Sequence, residues 1–228
     1  MKRQKYIDHC WGLCEQFIEE DSQKFGKYIK LQVQTFKDWT QDPKYEFRPD
    51  EVDKVFRFFS YLNIQLKNKY VQFPMMPWQA FFLALTFGWY HTDTDRRKIR
   101  EIALIISRKA GKTAFSACIT LYCFMKDGVR DPQSMLLAMN AKQASNALRY
   151  AKSIIYHSPA LLKRLHPQRY RILNKNQADQ GFIEVMSTVE PERLEGFSPS
   201  ATLISPSVAP ATVLSMRGRW KKIPCLRP

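Results

Sequence analysis

The stretch ALIISRKAGKTAF, residues 103–115, holds the residue types best placed to do chemistry. Gly111, Lys112 and Thr113 form the closing half of the phosphate-loop pattern GxxxxGK[ST], while Ile106 stands where the opening glycine would be. An apolar run precedes the tripeptide and an apolar helical pattern follows it. In that setting the backbone N–H groups of a helix start converge on an anion, with the positive end of the helix dipole behind them. Lys112 would reach the β and γ phosphates of a nucleotide, and the Thr113 hydroxyl would ligate magnesium. The candidate cradle is therefore Arg108, Lys109, Ala110, Gly111, Lys112 and Thr113, with ATP and Mg2+ as the expected ligands. The competing reading is an ordinary strand-to-helix turn with a glycine hinge, in which Arg108 and Lys109 are a solvated strand end.

These residues need a scaffold, and the chain supplies one with a change of texture near residue 95. Residues 1–95 read as a mainly helical N-terminal segment. In PDEVDKVFRFFSYL, Asp50 reads as an N-cap ahead of Val52, Val55, Phe56 and Phe59 on one face. In FPMMPWQAFFLALTFGW, two prolines precede a helix running from near Trp78 to Gly88. Residues 96–204 read as α/β: strands at 100–107 and 133–139, an amphipathic helix over 112–128 closed by Gly128, and a helix after the cap Asn140. RYRIL, GFIEVMS and the run at 201–205 are further strands. The expected fold is a P-loop NTPase-type parallel sheet with flanking helices.

Composition narrows the functions open to the chain. A length of 228 residues with 45% hydrophobic side chains suffices for one domain or two small ones. Apolar runs such as ALII and AFFLAL fall far short of the roughly 20 residues that cross a bilayer. The polar N-terminus is unlike a signal peptide, so no membrane partner and a cytoplasmic location in the cell are expected. Five cysteines without CxxC spacing suggest neither a disulfide framework nor a zinc site; His9, Cys10 and Cys14 read better as helix packing than as metal ligands. The net charge of +15 is uneven: residues 1–100 carry 17 basic and 13 acidic side chains, residues 101–228 carry 19 and 8. A basic surface of this kind attracts nucleic acid through counterion release.

In order along the chain stand PWQ, then FG, a basic turn, the strand running into SRKAGKT, QA on the next helix, and ERLEGFSPSATLI. This arrangement, from about residue 75 to 204, resembles the N-terminal ATPase half of the tailed-bacteriophage terminase large subunit, which packages DNA into a procapsid. In that family the loop commonly lacks its first glycine and begins with a basic residue. The resemblance implies that Gln79 contacts the adenine edge and that Arg108 is a catalytic residue sensing the γ phosphate. Lys112 and Thr113 would bind phosphate and magnesium. It also implies double-stranded DNA, a portal protein and a terminase small subunit as partners. On its own, Gln79 also reads as a polar residue on a helix face.

The pattern departs from the family after residue 204. Where the resemblance calls for adjacent aspartate and glutamate to serve the magnesium and the attacking water, Ser205, Pro206 and Ser207 follow ATLI. The segment 205–228 has no acidic residue, five basic ones and four prolines. It reads as an aberrant basic tail, and the expectation is a reading frame broken near residue 204, with the family's nuclease half absent and ATP hydrolysis impaired. Glu184, Glu190, Glu192 and Glu195 are not placed to substitute. Two other readings stand beside this one: a non-catalytic basic DNA-binding remnant, and a different phosphate-loop enzyme such as a helicase-like ATPase or a small-molecule kinase.

Overall fold

The computed structural model describes residues 3–106, 110–126, 132–138, 141–176, 181–187, 201–204 and 211–216. The chain divides into two units, 1–99 and 100–228.

Among the described residues the first unit carries four α-helices, α1 (Arg3–Glu19), α2 (Lys27–Trp39), α3 (Pro49–Phe59) and α4 (Pro77–Gly88), and a 3-10 turn at Asp21–Lys24. Between them lie two small antiparallel pairs, β1 (Tyr45–Phe47) with β4 (Trp89–His91), and β2 (Asn63–Leu66) with β3 (Lys69–Gln72). The core follows from apolar spacing: Tyr6, Ile7, Cys10, Cys14 and Phe17 on α1 are buried together with Val52, Val55, Phe56 and Phe59 on α3. The cap of helix α3 lies two residues earlier than its sequence suggests. Arg48 is its cap and Pro49 its first residue, so Asp50 lies in the first turn, where a carboxylate still complements the dipole. Aromatic rings fill the space beside the first strand pair. Phe47 meets Trp11, Phe36 and Trp89 at centroid separations of 6.2, 5.3 and 5.1 Å. The Trp11 indole N–H donates to Asp53 at 2.7 Å, tying α1 to α3. Gly88 closes α4 against this cluster; a Cβ there would lie 2.3 Å from the Phe47 ring.

The second unit is a seven-stranded sheet with helices. Its elements are β5 (Glu101–Ile105), α5 (Lys112–Lys126), β6 (Gln133–Ala138), α6 (Ala141–His157) and α7 (Pro159–Leu162), then β7 (Leu165–Pro167), β8 (Arg171–Asn174), β9 (Phe182–Ser187), β10 (Ala201–Ile204) and β11 (Ala211–Met216). Across the sheet the order is β5-β11-β10-β6-β9-β8-β7.

The sheet is mixed, which corrects the parallel one read from the sequence. Among the described residues β10-β6 and β6-β9 pair in parallel; β11 lies antiparallel between β5 and β10, and β7-β8-β9 is an antiparallel meander. Residues 211–216 of the basic tail thus form a strand inside the sheet. Because β11 opposes both neighbours, β5 and β10 run in the same direction. Helix α5 is buried all round rather than amphipathic: every residue from Phe115 to Phe124 is buried. The Thr120 hydroxyl satisfies itself on the Ser116 carbonyl at 3.0 Å. Gly128 and Asn140, read as helix ends, lie outside the described residues.

Candidate functional site

The apolar strand β5 delivers the chain to Ile106, and α5 starts at Lys112. Gly111 turns the backbone between them with φ +77°, a left-handed conformation that side chains with a Cβ resist. A Cβ added at Gly111 would meet nothing within 4 Å, so the turn opens onto space rather than onto packed protein. The first helical bond of α5 runs from the Phe115 N–H to the Gly111 carbonyl at 3.0 Å. Amides of the first turn, those of Thr113 and Ala114 among them, therefore precede the helical ladder. No carboxylate occupies the first turn. Ala110 and Gly111 are exposed, while Lys112 and Thr113 are half-buried. A phosphate fits this donor set: an open turn, helix-start amides, a lysine and a hydroxyl. Arg108 and Lys109 lie outside the described residues.

Register fixes where the second half of such a site belongs. Val213 pairs with Ala103 on one side and with Ile204 on the other, so Ile204 stands level with Ala103, two strand positions across. At about 4.8 Å per strand the two backbones are on the order of 10 Å apart, and both strands finish at the same edge of the sheet. The sequence after Ile204 is Ser205-Pro206-Ser207. Glu184, the one acidic candidate within the described residues, sits in the middle of β9 and pairs with Arg171 at 3.0 Å. Glu190, Glu192 and Glu195 lie outside the described residues. Among the described residues no group of three or more His, Cys, Asp or Glu side chains could hold a metal.

Gln79 belongs to the first unit and has a structural task that its sequence pattern did not disclose. Its side-chain carbonyl accepts the backbone N–H of Met76 at 3.0 Å, reaching back to cap α4. The residue is buried to 6% exposure and the cap fixes its rotamer, leaving the amide NH2 end as the group with donors to offer.

Cys10 and Cys14 are buried on α1, and burial pushes both thiols up to about 12, so they are neutral packing groups rather than ligands. Among the described residues no helix is long and apolar enough to cross a membrane.

Comparison with known proteins bears on the family and the fold. The family model of the terminase large subunit ATPase domain matches residues 77–196. The crystal structure of the HK97 bacteriophage large terminase is similar in fold, with a TM-score of 0.53 at 20% identity over 67% of this chain. This chain spans 30% of that one. No curated protein sequence matches.

Proposed function

The chain belongs to the terminase large-subunit ATPase family, and from that premise we propose that it is the ATP-binding segment of a motor that moves double-stranded DNA into a procapsid. The observation that carries this reading is the turn at Gly111, open and left-handed, between β5 and the start of α5. ATP would lay its phosphates against the first-turn amides of α5. Lys112 would bond the β and γ oxygens, and Thr113 would offer its hydroxyl. Magnesium, when bound, would neutralise charge on the phosphates. Arg108 is assigned to the γ phosphate and Gln79 to the adenine edge on the family's pattern, with a portal protein and a terminase small subunit as partners in the host cytoplasm.

Hydrolysis asks for more than binding. A carboxylate must hold the metal and another must orient the attacking water, and the position level with Ala103 that should supply them is followed by Ser205, Pro206 and Ser207. ATP is therefore held here and turned over weakly or not at all. The reading includes a break in the frame near codon 204, checked by translating the DNA beyond it in the other two frames: an Asp-Glu pair and a long continuation support the break, and incoherent sequence removes it.

The test of the site is a titration with a fluorescent ATP analogue plus magnesium. A charge-assisted hydrogen bond to phosphate contributes about 1.5–3 kcal/mol, so Lys112→Ala should weaken binding roughly ten- to hundredfold. Equal affinity of the variant would refute the phosphate loop. Fast magnesium-dependent turnover abolished by Lys112→Ala would instead refute the impaired-hydrolysis half of the proposal.

A further inference from the structure

Residues 141–176 contain eight lysines and arginines and no aspartate or glutamate. They fold as α6, α7, β7 and β8, and a hydrogen bond joins α6 to the β7–β8 turn: the Lys152 ammonium donates to the Arg169 carbonyl at 2.7 Å. Helical spacing sets Arg149, Lys152 and Tyr156 on one face of α6. The turn adds Arg169 and Tyr170 beside them. Tyr156 and Tyr170 are 54% and 58% exposed, so both rings are open to a partner from solvent. The Arg169 guanidinium lies over the Tyr170 ring, 5.1 Å from its centroid, so cation and ring lie together in the turn. Two other cations of the segment are committed within the fold, Arg171 to Glu184 and Lys175 to the Leu162 carbonyl. Arg149 and Arg169 meet no carboxylate among the described residues and stay available to an external anion.

We infer that this face of α6 and the β7–β8 turn is a docking surface for a single-stranded polynucleotide. Cations alone would suit any polyanion, since phosphate contacts carry no information beyond charge. Exposed rings interleaved with the cations narrow the choice. A duplex hides the faces of its bases in the stack, whereas an unpaired strand offers them to an aromatic side chain, and every base has such a face. On this surface Arg149 and Arg169 hold phosphates, Lys152 fixes the turn against the helix, and Tyr156 and Tyr170 stack bases. The inference stands on charge and exposure within the second unit and does not depend on nucleotide binding.

The test is fluorescence anisotropy of the full chain, without ATP, against a labelled 20-nucleotide oligothymidine and a duplex of the same length. The expected result is tighter binding of the single strand, with Tyr156→Ala/Tyr170→Ala losing at least tenfold affinity for it and little for the duplex. Arg149→Glu/Arg169→Glu should weaken both and lower the slope of log K against log salt by about 1.4, from two lost phosphate contacts on a single strand. Lys27→Glu/Lys30→Glu, the same charge change on exposed α2, should leave binding within twofold. All three pairs replace surface side chains, and circular dichroism checks that each variant folds. Unchanged binding in the arginine pair would overturn the surface. Loss in the arginine pair with no effect of the tyrosine pair, or equal single-strand and duplex affinity, would overturn the single-strand assignment.

Discussion

Gly111→Ala isolates the strain that shapes the phosphate turn. Nothing lies within 4 Å of the added methyl, so packing contributes no cost and the whole effect comes from φ +77°. Holding an L residue in that region costs about 1–2 kcal/mol. The stiffer unfolded chain of the alanine variant returns about 0.4–1 kcal/mol. The net destabilisation is therefore about 1 kcal/mol, which for a unit of this size is a fall of about 3–5 °C in Tm. Gly111→Asn should lose less, because asparagine tolerates the left-handed region. Urea denaturation followed by far-UV circular dichroism reads the stability of wild type, alanine and asparagine variants together. Nucleotide titration then separates strain from space: both side chains project into the volume where phosphate would sit, so both should weaken ATP binding even where asparagine restores stability. Equal stability of the alanine variant and wild type would refute the argument from φ, as would an asparagine variant that is as unstable as alanine.

Other perturbations follow from the same coordinates. Val213→Pro removes a ladder bond from a strand that is paired on both sides, and leaving a buried partner unsatisfied costs about 1–3 kcal/mol; amide exchange at residues 102–105 should quicken, and unchanged protection there would contradict the pairing. Gly88→Ala should destabilise the first unit by about 1–3 kcal/mol, because the Phe47 ring in the way is held by Trp11, Phe36 and Trp89; a neutral effect on the melting curve would show that the ring moves freely. The buried thiols Cys10 and Cys14 hold their protons up to about 12, above the value of the unfolded chain, so their contribution is fully present below about pH 9 and is lost as pH rises toward 12. Native protein should accordingly resist alkylation at pH 8 and lose stability across the alkaline window, and rapid labelling of both cysteines without unfolding would contradict their burial.

The parts of this fold that rest on local pattern were legible in the sequence. An apolar run, a glycine and a helical pattern identified β5, the turn and α5, though not that α5 is buried all round, and the periodicity of α3 identified its buried face. What stayed hidden depends on distant partners. Strands β1, β2, β3, β4 and β7 are three or four residues long, too short to show alternation, and β7 ends on Pro167. Strand β11 was masked by the prolines and basic residues on either side of it, and its place between β5 and β10 is a long-range pairing that no local pattern announces. The cap that Gln79 gives α4 was equally hidden, because a polar residue two places after a helix-starting proline reads alike whether it serves the backbone or a ligand. Proline at the first position of α3 shifted the helix start away from the aspartate that looked like its cap.

The seat of β11 bears on how the chain acquires its shape during synthesis. Strand β5 leaves the ribosome early, yet its only strand partner among the described residues is β11, so Ile105 waits for Ala211. Contacts closed over such a span form slowly, and until then β5 and β10 keep unsatisfied edges that other chains can pair with. A nascent chain stalled before residue 211 would hold the phosphate-turn strand detached from its sheet, open to chaperones and to aggregation, however well its helices had formed.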